Sequence, residues 1–336
     1  MLNKLIKWIT GKDIILYHKH SRQTQPLVSN VYNRKRFWFI EIGSVWKYIP
    51  FKTADKRKFK IMYSVLNWIQ PKYIMDFNWI SPRNRLYKLW TSKNPESKFI
   101  VLQHGCYAGG KVVDASHKYT NCDIFLTWGT YFVNQFKSYN SFKDVEIINF
   151  GNSIYNGYDR TKFKYKDNNT NKILLLPTAL NEKHISEFYG LTDRLNDIGF
   201  QIFIKEHRKQ GIERDSSGKL KYPAIEGKGI KKIIGSMKSI YPILENNDFD
   251  FIIADYSTSL LDAIFFKNKV IYFDPNNITG GYTTHYSKFL KNIFSENLSG
   301  MMKNNFHDLI IIENQEALFT DLITSGNNRL DTLWDI

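Results

Sequence analysis

Short apolar runs recur along the chain at Phe99–Leu102, Ile124–Thr127, Val145–Phe150, Ile173–Leu176, Phe200–Ile204, Phe251–Ala254 and Val270–Phe273. They are rich in Ile, Val, Leu and Phe and show little alternation, which is how strands covered on both faces read. Between them, apolar residues fall at helical spacing over Tyr131–Tyr139, His184–Ile198, Met237–Glu245 and Ser259–Phe266. Alternating strand and helix predict a doubly wound α/β sheet. The stretch YNGYDRTKFKYKDNNTNK, residues 155–172, is polar, carries Gly157 and four asparagines, and lacks any apolar period. It predicts a linker. The expected domains are therefore 1–155 and 173–336 with 156–172 between them, the extreme C-terminus being a candidate to pack back on the N-terminal domain. Residues 208–232 are polar and predict a long loop or hairpin.

Composition adjusts this picture modestly. With 336 residues, 43% hydrophobic and 24% charged, the chain suits two globular domains. Cys106 and Cys122 are the two cysteines, too few for a thiolate metal cluster or a disulfide framework. No uncharged apolar run reaches about 18 residues, so no spanning helix is expected, and the N-terminus makes a poor signal peptide. It does set Leu2, Leu5, Ile6 and Ile9 on one helical face with Lys4 and Lys7 nearby. That pattern fits a helix resting on a membrane surface and equally a short helix packed on its own domain.

Charge is unevenly placed. Residues 1–150 hold 24 Lys and Arg against nine Asp and Glu, so the whole net charge of +15 lies there, and residues 151–336 are balanced. Arg34-Lys35-Arg36 and Lys56-Arg57-Lys58 carry much of the excess. Such a field draws polyanions or an anionic membrane, and no nucleic-acid-binding motif accompanies it.

Ligands of open α/β sheets bind at the carboxyl ends of strands, and three strand ends carry chemistry. Gln103-His104-Gly105 follows the first run, with Gly109 and Gly110 close behind. Lys205-Glu206-His207-Arg208 follows the strand ending at Ile204. Asp255-Tyr256 leads into Ser257-Thr258-Ser259, which opens a helix. Hydroxyls and unpaired N–H groups at a helix start suit a phosphate, although ordinary capping explains them too. An imidazole gives or takes a proton near neutral pH, or binds phosphate as the cation. Two strand-end histidines beside such a helix start favour a transfer between two substrates. The chain has no HExxH, paired Cys, GxxxxGK[ST], GxGxxG after a strand, or GxSxG. Metal, P-loop, dinucleotide and hydrolase-elbow readings are therefore weak. His18, His20, His117 and His184 offer no comparable context.

In order, the chain reads QHG, GNSIYN, ILLLPTALN, IFIKEHRK and DFDFIIADYSTSLLDAIFFKNKVIYFDP. This series resembles the CDP-glycerol glycerophosphotransferase family of teichoic acid type, over roughly residues 99 to 275. The resemblance implies a GT-B fold: two Rossmann-like domains with the active site in the cleft. It implies that His104 is the base for the acceptor hydroxyl and that His207 contacts donor phosphate. Asp255, Tyr256, Ser257, Thr258 and Ser259 then match the donor-phosphate segment, and Pro177 and Thr178 match the turn beside the nucleotide. Lys205 and Arg208 flank His207 and join the donor-binding set. Gln103, Gly105, Gly109 and Gly110 form the acceptor-side loop. The family has Pro where this chain has Arg208, and a Pro-containing segment where it has Cys106–Gly110. LQHGCYAGG followed by DIFLTWGTYF also resembles surface-polysaccharide transferases that use nucleotide sugars.

The expected activity is therefore transfer of a polyol phosphate from CDP-glycerol or CDP-ribitol to a glycan or lipid-linked acceptor, in capsule, teichoic acid or O-antigen synthesis. An inverting glycosyltransferase using a CMP-, UDP- or GDP-sugar is the alternative. A non-catalytic nucleotide or glycan binder and a nucleotide-sugar epimerase lie further off. No cofactor and no metal are expected. The expected location is cytoplasmic, on the inner face of the membrane, with the anionic membrane surface a candidate partner.

Overall fold

The computed structural model describes residues 1–19, 24–43, 56–77, 82–103, 105, 121–155, 158–166, 168–178, 182–226, 229–235, 237–255, 258–273, 309–311, 315–316 and 320. The chain divides into two compact units. One is built from the described residues of Met1–Gly105 and Val113–Tyr158 with Thr320, the other from those of Asp159–Phe319.

The first unit holds a parallel sheet of six strands: β1 (Asp13–Tyr17), β2 (Phe37–Glu41), β3 (Tyr73–Asp76), β4 (Lys98–Leu102), β5 (Ile124–Thr127) and β6 (Glu146–Asn149), in the order β2-β1-β3-β4-β5-β6. Helices α1 (Leu2–Thr10), α2 (Thr24–Ser29), α3 (Val31–Arg36), α4 (Lys56–Ile69), α5 (Pro82–Lys93) and α6 (Thr130–Lys137) accompany it. The inner strands β3 and β5 are buried at every residue. Ile15, Met75, Ile100 and Leu126 join Leu27, Phe37 and Phe150 in one core cluster.

The second unit repeats the plan. Strands β7 (Lys172–Leu176), β8 (Gln201–Lys205), β9 (Ile230–Ile234), β10 (Phe251–Ala254), β11 (Val270–Phe273) and β12 (Leu309–Ile311) form a sheet ordered β12-β11-β10-β7-β8-β9, parallel except for β12. Numbered within the unit, that is 3-2-1-4-5-6, the Rossmann order. Helices α7 (Glu182–Asp197), α8 (Tyr241–Asn246) and α9 (Ser259–Phe265) belong to it. Phe188, Leu191 and Leu195 recur at helical spacing along α7, and all three are buried in the core with Ile173, Ile202 and Ile253. Two parallel Rossmann-like sheets are what the α/β, GT-B expectation requires, and all seven expected strands are present.

One expected helix is shorter than its apolar spacing suggested. The run from Met237 becomes helical only at Tyr241, with Pro242 in the first turn. Proline lacks the N–H that an interior helical position must donate, so the helix starts around it. Much of the stretch read as a linker is held to the second unit. Asn168 Nδ2 donates to the carbonyls of Asn247 and Phe249, and the amides of Thr170 and Asn171 donate to Asp250. Arg160 makes a two-pronged contact with Glu316, at 2.8 and 2.9 Å.

Candidate functional site

In the second unit β7 lies between β10 and β8. Leu176 pairs with Ala254, and Leu175 with Ile204, so the three strands end level. The order of strands reverses between β7 and β10, which is where an open α/β sheet opens a crevice for ligand. Pro177 and Thr178 continue from β7, and Asp255 continues from β10. The Thr178 amide donates to Asp255 Oδ2 at 3.0 Å, and its hydroxyl donates to the same oxygen at 2.8 Å. Asp255 is buried. Its carboxylate ties the two strand ends together and holds the Pro177-Thr178 turn at the crevice.

The end of β8 supplies the charge. Lys205 is buried, its ammonium donates to the Glu206 carbonyl at 2.7 Å, and burial lowers its pKa. Glu206 faces the other way: its amide donates to the Ile234 carbonyl of β9, and its Oε1 accepts from the Ile225 amide at 3.1 Å. His207 is half-buried and its Nδ1 accepts from the Lys209 amide at 3.3 Å. Burial first, then the cations Arg208, Lys209 and Lys205, push its pKa down to about 4. His207 is therefore neutral at pH 7. With Nδ1 accepting, the proton sits on Nε2, and the ring meets a phosphate oxygen as a neutral donor. Of the roles open to an imidazole, phosphate binding as the cation is thereby disfavoured for His207. Arg208 is exposed at the same strand end. Beyond it the chain forms a hairpin: Gly211 N donates to Tyr222 O, Lys221 N to Glu213 O, and Asp215 N to Lys219 O. The hairpin spans residues 211–222, whereas Ile230–Lys232, read as the end of the same loop, open β9.

Thr258 is the N-cap of α9, and its side chain makes no capping bond; Ser259 opens the helix. The capping explanation of this hydroxyl therefore fails for Thr258. Tyr256 and Ser257 lie outside the described residues.

In the first unit Gln103 follows β4 and is buried. Its Oε1 accepts from the Trp128 amide at 3.0 Å, and its Nε2 donates to the Gly105 carbonyl at 2.9 Å. Its own carbonyl accepts from the Trp128 indole Nε1 at 2.8 Å. Gln103 therefore clips the start of the acceptor-side loop to the residue after β5. The Gln of the QHG motif and the Trp of the TWG motif are partners. His104, Gly109 and Gly110 lie outside the described residues.

A cluster that sequence reasoning missed sits at the ends of β1 and β3, where the first sheet reverses its order. His18 Nε2 lies 2.7 Å from the Tyr87 hydroxyl and 3.9 Å from Asp76 Oδ2. Arg83 grips Asp76 with two bonds, at 2.7 and 3.0 Å. His18 and Asp76 are buried. Burial pushes the His18 pKa down to about 4, against the pull of Asp76. The signal available was DIILY as a strand ending in His18, hidden by the basic residues around it.

Comparison with known proteins places the chain beside transferases. The model of the LIC12162 family transferases matches residues 29–194. That agrees with the transferase class expected from the motifs. No curated protein matches the chain. Among solved structures, the wall teichoic acid polymerase TagF is 14% identical, with 96% of this chain and 87% of that one covered and a TM-score of 0.49. The UDP-GlcNAc 2-epimerase of Neisseria meningitidis bound to UDP-GlcNAc is 10% identical, with 97% and 100% covered and a TM-score of 0.47. A glycosyltransferase of kitacinnamycin is 10% identical, with 82% and 84% covered and a TM-score of 0.48.

Proposed function

We propose that the chain is a GT-B transferase of cell-surface polymer synthesis, moving a polyol phosphate from CDP-glycerol or CDP-ribitol to a glycan or lipid-linked acceptor. The observation that carries this reading is the set of level strand ends in the second unit. Thr178 and Asp255 are bonded there at the strand-order reversal, and neutral His207 stands on the neighbouring strand with Lys205 and Arg208. Such a place suits a diphosphate. In the reaction, the acceptor oxygen attacks the phosphorus that bears the polyol, and His104 takes the acceptor proton. The bond from that phosphorus to the bridging oxygen breaks, and CMP leaves with its electron pair. The cations of the β8 end, the His207 Nε2–H and the hydroxyls of Ser257, Thr258 and Ser259 offset the charge left on CMP. Tyr256 lies in the same segment. In this reading no metal is needed, so chelation with EDTA leaves turnover unchanged.

The Gln103–Trp128 clip favours a second reading. It joins the two segments through which the chain resembles nucleotide-sugar transferases, in which case the donor is a CMP-, UDP- or GDP-sugar. A thermal-shift screen of CDP-glycerol, CDP-ribitol and these sugars separates the two, because a ligand that binds the folded state raises the melting point by mass action. Turnover by His104→Ala then tests the chemistry: near-normal product formation sinks the proposed base. Donor binding without any product in the wild type points instead to a binding protein.

A further inference from the structure

Helix α1 turns only part of its apolar face inward: Leu2 and Ile6 are half-buried together with Asn3. Two polar contacts also tie it to β1: Asn3 Oδ1 accepts from the Ile14 amide at 2.7 Å, and Lys7 donates to Asp13 at 3.0 Å. Gly11, at φ 69, ends the helix with its amide on the Lys7 carbonyl. No residue of α1 is buried. The rest of the apolar face is turned to solvent, with Leu5 52%, Trp8 84% and Ile9 64% exposed. Beside it, the amino terminus donates to Gln70 Oε1 at 2.6 Å, and Trp68, two residues earlier on α4, is 58% exposed. Lone exposed apolar residues need no explanation, but an outward apolar helix face carrying a tryptophan does. Neither α1 nor α4 contains an acidic residue. Lys4 stands one turn before Trp8, and the first 150 residues carry the whole excess of +15.

We propose that the outward face of α1 docks the first unit onto an anionic lipid bilayer. Trp8, Leu5 and Ile9 enter the boundary between headgroups and acyl chains while Lys4 meets the lipid phosphates. Tryptophan suits that depth because its ring is apolar and its N–H finds polar partners at the headgroup level. The charge complementarity favours lipid over a second copy of the chain, which would set one basic surface against another. No helix among the described residues is long and apolar enough to cross a membrane, so attachment by this face lies on the surface.

Sedimentation with vesicles tests the proposal on the full chain. The protein pellets with phosphatidylcholine mixed with phosphatidylglycerol and stays in solution with phosphatidylcholine alone. Trp8→Ser weakens pelleting at least about tenfold through lost apolar burial. Lys4→Gln weakens it about fivefold, the worth of one lysine near an anionic surface. Both residues are exposed, so both variants keep the wild-type melting curve, and a donor-induced thermal shift in each shows the second unit intact. Wild-type protein that ignores anionic vesicles, or Trp8→Ser that pellets like wild type, overturns the proposal. A dimer seen by light scattering that Trp8→Ser dissolves, with no vesicle binding, assigns the face to a second copy and overturns it equally.

Discussion

At the residue scale, motif positions divide into those that touch a ligand in the proposed reading and those that hold the fold. Asp255 matches a donor-phosphate segment, yet one of its oxygens takes both polar hydrogens of Thr178. Thr178→Val removes the hydroxyl while keeping the shape, and leaves that carboxylate oxygen with one donor fewer. The expected cost is about 1–3 kcal/mol, read as a lower urea midpoint, with weaker donor binding; an unchanged midpoint refutes the bridge. The histidines set a pH window. His18 and His207 are held neutral in the fold, with pKa values near 4, whereas the unfolded chain protonates near 6.5. The unfolded state binds more protons between those values, so stability is full above about pH 6.5 and falls as pH drops towards 4. Denaturation at pH 7 and pH 5 measures the loss, and His18→Gln makes it smaller. These facts were closed to sequence reading, because a motif gives a residue type and not the partner that its side chain finds.

At the scale of elements, burial was only part of legibility: β6 was read although its ends are exposed, whereas β3, buried at every residue, was missed. The seven strands read from sequence are short apolar runs, most of them covered on both faces. β9 was missed because it is an edge: Lys231, Lys232 and Ile233 are all exposed, and Lys232 pairs with Phe203. β1 was missed because DIILY follows the amphipathic run of α1 with only Gly11 and Lys12 between. Its loss hid the His18 cluster, since His18 has meaning only as the residue after a strand. The Gln103–Trp128 clip couples elements in a way that neither motif announces. Gln103→Ala removes the acceptor of the Trp128 amide and the donor to Gly105. Hydrogen exchange at Trp128 is expected to quicken at least about tenfold, because local opening loses a buried bond worth about 1.5 kcal/mol. Unchanged exchange there denies the clip its role.

At the scale of the whole molecule, the two halves of the chain carry different charge and, in the proposed reading, different work. All the net positive charge is in the first 150 residues, and the proposed membrane face lies there, whereas the donor-phosphate positions lie in the second unit. A saturating nucleotide donor is therefore expected to slow amide exchange at the ends of β7, β8 and β10, and to stabilise the protein by ~3 kcal/mol at a hundredfold excess over Kd. Slowing confined to the first unit contradicts the donor assignment. The sequence by itself determined the α/β class, the alternation of buried strands with helices and the residue types at the strand ends, because these follow from local periodicity and from which side chains water rejects. Tertiary structure alone decided the strand order that brings Thr178 to Asp255, the surroundings that keep His207 neutral, and which part of the apolar face of α1 is left in solvent. Each depends on which distant segments meet, and pairing between segments leaves no period in the chain.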